Sequence, residues 1–169
     1  CALFRRASSA IMLAVTRPRA AALLDDTSRA IIAELQQDGR RAYATIGKSV
    51  GLSEAAVRSR VQRLTESGVL QVVGVTDPLQ LGFARQAMLG VRVAGDVEPV
   101  ADRLSTLADV DYVVVTAGSF DLLVEVVCRD DDHLLDVVNR QIRAMPDVLS
   151  AEIFLYLKLA KQTYAWGVS

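Results

Sequence analysis

The chain has 169 residues, 51% of them apolar and only 5% aromatic, with a formal net charge of −1. That is enough aliphatic material for one ordinary core or two small ones, and it excludes a disordered chain. Two distant cysteines, Cys1 and Cys128, and a single histidine, His133, exclude a zinc cluster or a disulfide framework and point to a reduced, cytoplasmic setting.

The net charge hides a division. Residues 1–76 carry +5 and residues 77–169 carry −6, and between 40 and 63 six basic groups stand against one acid, Glu54. A basic half joined to an acidic half assigns polyanion contact to the first. No stretch reaches the roughly 18–20 apolar residues of a membrane span. The run Ala10–Val15 after Arg5 and Arg6 is shorter than a secretory core of about 7–15 residues. No membrane partner is expected.

Residues 1–23 read as an N-terminal arm of open structure, with Arg5, Arg6, Arg17 and Arg19 and a break at Pro18. A first helix is predicted over 26–37: Asp25, Asp26, Thr27 and Ser28 offer caps, Ile31, Ile32 and Leu35 make a stripe, and Gly39 ends it. A second, over 44–50, places Ile46 and Val50 four apart. Gly51 then supplies a tight turn, Leu52 a plug between helices, and Ser53 a cap. The third helix, 54–67, carries Val57, Val61 and Leu64 on one face and closes at Gly68. Val69–Thr76 reads as a short strand or wing, and 77–84 as a linker.

The second half, 85–169, alternates. A strand over 86–93 precedes a helix that Asp96 can cap, with Pro99 in its first turn and Val97, Val100, Ala101, Leu104 and Leu107 inward. Strands over 112–116 and 122–128 follow. A helix capped by Asp131 or Asp132 turns Leu134, Leu135, Val138, Ile142 and Met145 inward and stops at Pro146. The last strand, 153–159, points Ile153, Leu155, Leu157 and Leu159 one way and Glu152, Phe154, Tyr156 and Lys158 the other. The order βαββαβ gives an α+β, ferredoxin-like antiparallel sheet with two helices on one face.

Two helices joined by a glycine-containing turn can set the second in a major groove. At about 100° per residue, with Val57 at zero, Ala55, Ser59 and Gln62 point away from the core at roughly 160°, 200° and 140°. Small Ala55 and Ser59 permit close approach, Gln62 can pair with adenine and Arg58 with guanine. Arg60 and Arg63 suit phosphates, with Arg40, Arg41, Lys48 and the Ser53 cap nearby. A solvated bundle helix accounts for the same spacing, and the charge division favours DNA.

The connection Thr116-Ala117-Gly118-Ser119-Phe120-Asp121 joins two buried strands. Gly118 permits unusual φ and bares backbone N–H groups, which can hold a carboxylate, while Asp121 can meet an ammonium. Together they suit an α-amino acid, although an ordinary hairpin connection uses the same residues. His133 reads as a surface residue, Cys128 as core, and Asp130-Asp131-Asp132 as helix capping rather than a cation site. With no nucleophile–base pair, metal cluster or phosphate loop, an enzyme is the weaker reading, and no cofactor is called for.

Leu24-Asp25, Arg40, the segment Ile46-Gly47-Lys48-Ser49-Val50-Gly51-Leu52-Ser53, then Val57-Arg58-Ser59-Arg60-Val61-Gln62-Arg63-Leu64 and Gly68-Val69-Leu70 resemble the Lrp/AsnC (feast/famine) regulators. The resemblance extends over about 24–166. It implies a winged helix-turn-helix over 24–76 and a RAM effector-binding and oligomerisation domain over 85–169. It also implies double-stranded DNA as a partner, and dimers through the sheet that often assemble into tetramers or octamers. An amino-acid effector would sit at Thr116, Gly118, Ser119, Phe120 and Asp121. The chain departs from the family at Ala42, often Ser, Thr45, often Glu, and Ser28, often Asp; helix two thereby loses a cap worth about 1 kcal/mol. The function implied is sequence-specific transcription regulation; the alternative is an architectural protein that bends DNA with little sequence preference.

Overall fold

The computed structural model describes residues 24–163, so the arm at 1–23 lies outside the described residues. Among the described residues, 24–75 and 76–160 form two compact units.

The first unit is three helices, α1 (Asp26–Gln37), α2 (Tyr43–Val50) and α3 (Glu54–Glu66). Asp25 caps α1, its Oδ1 accepting from the Ser28 amide at 2.8 Å. Asp38 leaves the helix in extended conformation, so Gly39 is not needed as a left-handed stop and its φ is not positive. Ala42 gives α2 no side-chain cap, and α2 ends at Gly51 with φ 71°. Ser53 caps α3, its Oγ accepting from the Ala56 amide at 3.2 Å. Ile31, Ile32, Leu35, Ile46, Val57, Val61, Leu64 and Leu70 are buried as one cluster, with Leu24, Tyr43, Val50, Leu52 and Val69 against it. Each fully buried aliphatic side chain contributes about 1.5–3 kcal/mol, so the cluster holds the helices together without help from α2's missing cap.

Over Val69–Thr76, expected as a short strand or wing, no strand is present among the described residues. Among the described residues this segment joins no ladder, and Val72, Val73 and Val75 are 54%, 56% and 60% exposed. A β-rich composition without a pairing partner leaves the backbone irregular.

The second unit opens with a 3-10 turn, Pro78–Leu81, capped by Asp77. Its strands are β1 (Arg85–Val93), β2 (Val110–Val115), β3 (Leu122–Cys128) and β4 (Val148–Leu155), and its helices α4 (Glu98–Ser105) and α5 (Asp131–Asp136), the latter continuing as a π-helical turn over Val137–Ile142. The sheet order is β2-β3-β1-β4, all antiparallel, the ferredoxin-like arrangement. Alternate residues of the inner strands, Leu89 and Val91 in β1 and Leu122, Val124, Val126 and Cys128 in β3, are buried with Val100, Leu104, Leu134, Val138 and Ile142 of the helices.

Four expectations are corrected here. Val97, not Asp96, occupies the cap position of α4; Asp96 Oδ1 accepts instead from the Glu98 amide, two residues on, at 3.2 Å. Asp130 caps α5, accepting from the His133 amide at 2.7 Å, while Asp131 pairs with Arg85. Leu135, one step around the helix from Leu134, faces outward at 51% exposure. The last strand covers Val148–Leu155 rather than 153–159: Leu155, opposite Ala87, is its last paired residue, and one more backbone bond follows, from the Tyr156 amide to the Gln86 carbonyl at 2.9 Å. Beyond it Leu157 stands 92% exposed.

His133 is also more engaged than a surface residue. Its Nδ1 accepts from the Arg129 amide at 3.2 Å and its Nε2 lies 3.3 Å from Asp109 Oδ2, an arrangement that joins the start of α5 to the segment before β2. Cys128 is core, and burial pushes its thiol up to about 11.

Candidate nucleic-acid interface and effector turn

The elbow between α2 and α3 is tight. The Leu52 amide donates to the Gly47 carbonyl at 2.9 Å, and a Cβ on Gly47 would stand 2.5 Å from the Leu52 carbonyl oxygen. Gly47 is required by close approach and Gly51 by its positive φ, so two glycines set the angle at which α3 is presented.

On α3 the buried stripe is Val57, Val61 and Leu64, and the opposite side carries Ala55, Ser59 and Gln62, all exposed. Arg58 and Arg63 flank that side and are exposed, as are Arg40, Lys48 and the cap Ser53. The structure therefore brings together most of the residues predicted to meet DNA. Two carboxylates share this surface. Glu54 Oε1 accepts from Arg58 Nη2 at 2.7 Å, and Glu66 Oε1 from Gln62 Nε2 at 2.8 Å. The Arg58 guanidinium also lies over the Tyr43 ring, 5.4 Å from its centroid. The i, i+4 spacing of 54/58 and 62/66 was visible in the sequence; the Tyr43 contact, from a different helix, was not.

Arg60, expected at phosphates, and Arg41, expected as nearby charge, each pair with a carboxylate of the same unit. Arg60 turns to the start of α1, its Nη1 lying 2.7 Å from Asp25 Oδ2, 2.9 Å from Asp25 Oδ1 and 3.1 Å from Ser28 Oγ. Hydrogen bonds from Ser28 and Arg60 hold the Asp25 carboxyl down at about 2. Arg41 pairs with Glu34 of α1 and holds its carboxyl below the usual range. In both cases a carboxylate of the same unit lies closer to hand than any exterior partner.

The turn 116–121 is tied to β1. The Thr116 amide donates to the Asp121 carbonyl at 2.8 Å and its Oγ1 to the Phe120 carbonyl at 2.7 Å. The Asp121 amide donates to the Val91 carbonyl at 3.0 Å, and Asp121 Oδ2 accepts from the Val93 amide at 2.8 Å. Thus Asp121 spends part of its acceptor capacity on the protein's own backbone, and only the remainder is available to an ammonium. The reason given for Gly118 is corrected: its φ is not positive, and a Cβ there would meet nothing within 4 Å. Ser119 is exposed, and its carbonyl accepts from Arg92 Nε at 2.9 Å. The Phe120 ring lies so close over Gly90 that a Cβ there would fall 2.7 Å from it, and it meets Phe154 edge-on at 5.9 Å. Gly90, Arg92 and Phe154 were missed in the sequence because they reach the turn from other strands.

Residues 24–65 match the AsnC-type helix-turn-helix domain, and residues 84–169, half of the chain, match a family described as a C-terminal dimeric α+β barrel domain of AsnC-type regulators. The chain belongs to the Lrp/AsnC family of DNA-binding transcription regulators. Among this regulator's relatives, the HTH-type transcriptional regulator FL11 of Pyrococcus horikoshii is 31% identical, over 83% of this chain and 93% of that protein. The leucine response regulatory protein LrpA of Mycobacterium tuberculosis has the same fold, with a TM-score of 0.75 and 27% identity over 82% of this chain and 95% of that one. A transcriptional regulator of Neisseria meningitidis, solved as an L-Met complex, shares the fold at 24% identity, with a TM-score of 0.74 over 83% of this chain and 94% of that one.

Proposed function

We propose that this AsnC-type regulator binds DNA sequence-specifically through the outward side of α3 and responds to an α-amino acid at the turn 116–121. The observation that carries the DNA reading is the sidedness of α3. Ala55, Ser59 and Gln62 are exposed opposite Val57, Val61 and Leu64, with Arg58 and Arg63 beside them. Ala55, Ser59, Gln62 and Arg58 meet base edges; Arg63, Arg40, Lys48 and the α3 start at Ser53 meet phosphates. Glu54 and Glu66 must release Arg58 and Gln62 on binding, a small cost because exposed pairs of this kind contribute well under about 1 kcal/mol.

The amino-acid reading rests on the chemistry of the turn and on the L-Met complex of the Neisseria relative. Exposed backbone at Gly118 and Ser119 can meet a carboxylate, Asp121 an ammonium, and Phe120 a side chain. Thr116 braces the turn from within. The family's dimeric C-terminal domain supports self-association, and we read the working form as a dimer that assembles further into tetramers or octamers, in the cytoplasm. No helix among the described residues is long and apolar enough to cross a membrane.

Fluorescence anisotropy with the promoter upstream of the chain's own gene tests the reading. Binding by sub-micromolar protein at about 100 mM salt, at least ~10³ tighter than to a shuffled duplex, supports it. Equal affinity for both duplexes contradicts it.

A further inference from the structure

The stripe Val57, Val61 and Leu64 that seats α3 occupies one narrow side of the helix. Such a stripe opposes lifting the helix away from its neighbours, but opposes rotation about the helix's own axis far less. Rotation matters for reading DNA: with side chains a helix is about 10–12 Å across, so a roll of about 20° moves a surface atom by about 2 Å. That is most of the length of a hydrogen bond. Something beyond the stripe has to fix the roll.

Arg60 is placed to do so. It lies at about 300° around α3 from Val57, on the flank away from Arg58 at about 100°. Its Nη1 is within hydrogen-bond distance of both Asp25 oxygens and of Ser28 Oγ, across 35 and 32 residues of sequence. Ser28 is buried, at 3% exposure, and Asp25 is itself immobilised as the cap of α1. One carboxylate thus ends one helix and grips the middle of another. Charge-assisted bonds to a fixed, capped carboxylate are shorter and stronger than neutral ones. Asp25 is 54% exposed, but only 27% of the Arg60 side chain is, against 63% for Arg58, which has a surface pair with Glu54 and lies over the Tyr43 ring.

We propose that Arg60 is a positioning residue for DNA reading: clamped to Asp25 and Ser28, it sets the roll of α3, and so which side chains meet the bases, without contacting phosphate. This rests on the DNA-binding reading above.

The test begins with a duplex selected from a random pool by the full-length wild-type chain, and a shuffled version of it. Affinities for both are measured across a salt series for wild type, Arg60→Gln, Asp25→Asn and the double variant. Asparagine keeps the α1 cap, so Asp25→Asn preserves the fold and carries the test alone if Arg60→Gln does not fold. The clamp predicts that each single variant lowers the selected-to-shuffled ratio roughly tenfold, about the discrimination of one base pair. The slope of log affinity against log salt stays at the wild-type value, and the double variant is no worse than the worse single. If Arg60→Gln keeps the ratio but flattens the slope by about one unit, Arg60 is a phosphate contact and the proposal is wrong. An unchanged ratio in Asp25→Asn overturns it equally. If the wild type enriches no sequence, the DNA reading itself fails, and this inference with it.

Discussion

The Gly47 carbonyl accepts from the Leu52 amide at 2.9 Å, leaving 2.5 Å between the Leu52 carbonyl oxygen and the place a Gly47 Cβ would take. Backbone, not a flexible side chain, stands in the way, so Gly47→Ala must open the elbow that aims α3. Overpacking of this kind costs about 1–3 kcal/mol. Urea unfolding should show that loss for Gly47→Ala and almost none for Gly118→Ala, where the new methyl has open space and the φ is ordinary. Equal effects at the two positions would contradict the geometry.

Asp25 gives the first unit an acid-sensitive tie. Its carboxyl is held at about 2 against an ordinary 3.8 by hydrogen bonds from Ser28 and Arg60. A carboxyl depressed in the folded state adds stability above its unfolded value, and that contribution fades as pH falls through the folded one. Wild type should therefore be more stable than Asp25→Asn at pH 7, with the gap closing between about pH 4 and pH 2. Thermal unfolding of both proteins across that range is the check; a gap independent of pH would remove the carboxylate from the explanation.

At the effector turn, Asp121→Asn and Asp121→Ala should differ. Asparagine keeps an acceptor for the Val93 amide, 2.8 Å from Oδ2, whereas alanine leaves that amide without its partner, at about 1–3 kcal/mol. Both variants lose the charge an ammonium would meet. In a thermal-shift panel of α-amino acids, Asp121→Asn should melt as the wild type does without ligand, yet lose the ligand-induced rise. A retained rise would place the ammonium elsewhere.

Cys128 should be chemically silent. Burial raises its thiol to about 11, so the reactive thiolate is scarce at neutral pH. Iodoacetamide at pH 7.5, with labelling mapped by mass spectrometry, should modify Cys128 only after denaturant is added. Labelling of the folded chain at Cys128 would show that the core between β3 and the helices opens readily.

The sequence carried most of this architecture because periodicity and punctuation agree in it. Ile31, Ile32 and Leu35 mark one side of α1, the Gly51-Leu52-Ser53 turn separates two helices, and Leu122–Cys128 is apolar but for Glu125 and lies between turn residues. The failures share one cause, dependence on a partner distant in sequence. Val69–Thr76 has the composition of a strand, but a strand exists only with a neighbour to pair with. β4 pairs with β1 only as far as Leu155, opposite Ala87, and no local pattern in 153–159 reveals where that pairing stops. The same limit applies to the DNA-facing side. The exposure of Ala55, Ser59 and Gln62 follows from helical spacing alone, whereas the tie of Arg60 to Asp25, 35 residues away, leaves no local pattern. Gly90 reads as an ordinary strand glycine until the Phe120 ring is seen lying on it.

The central claim is that the outward side of α3 faces DNA, with Gln62 at the bases and Arg63 at the backbone. Affinity for a selected and a shuffled duplex, measured across salt for Gln62→Ala and Arg63→Ala, tests it most directly. Arg63→Ala should weaken both duplexes alike and flatten the salt slope by about one unit, while Gln62→Ala should weaken only the selected duplex and leave the slope intact. If both variants lost affinity equally on the two duplexes, the assignment of this side of the helix would be wrong.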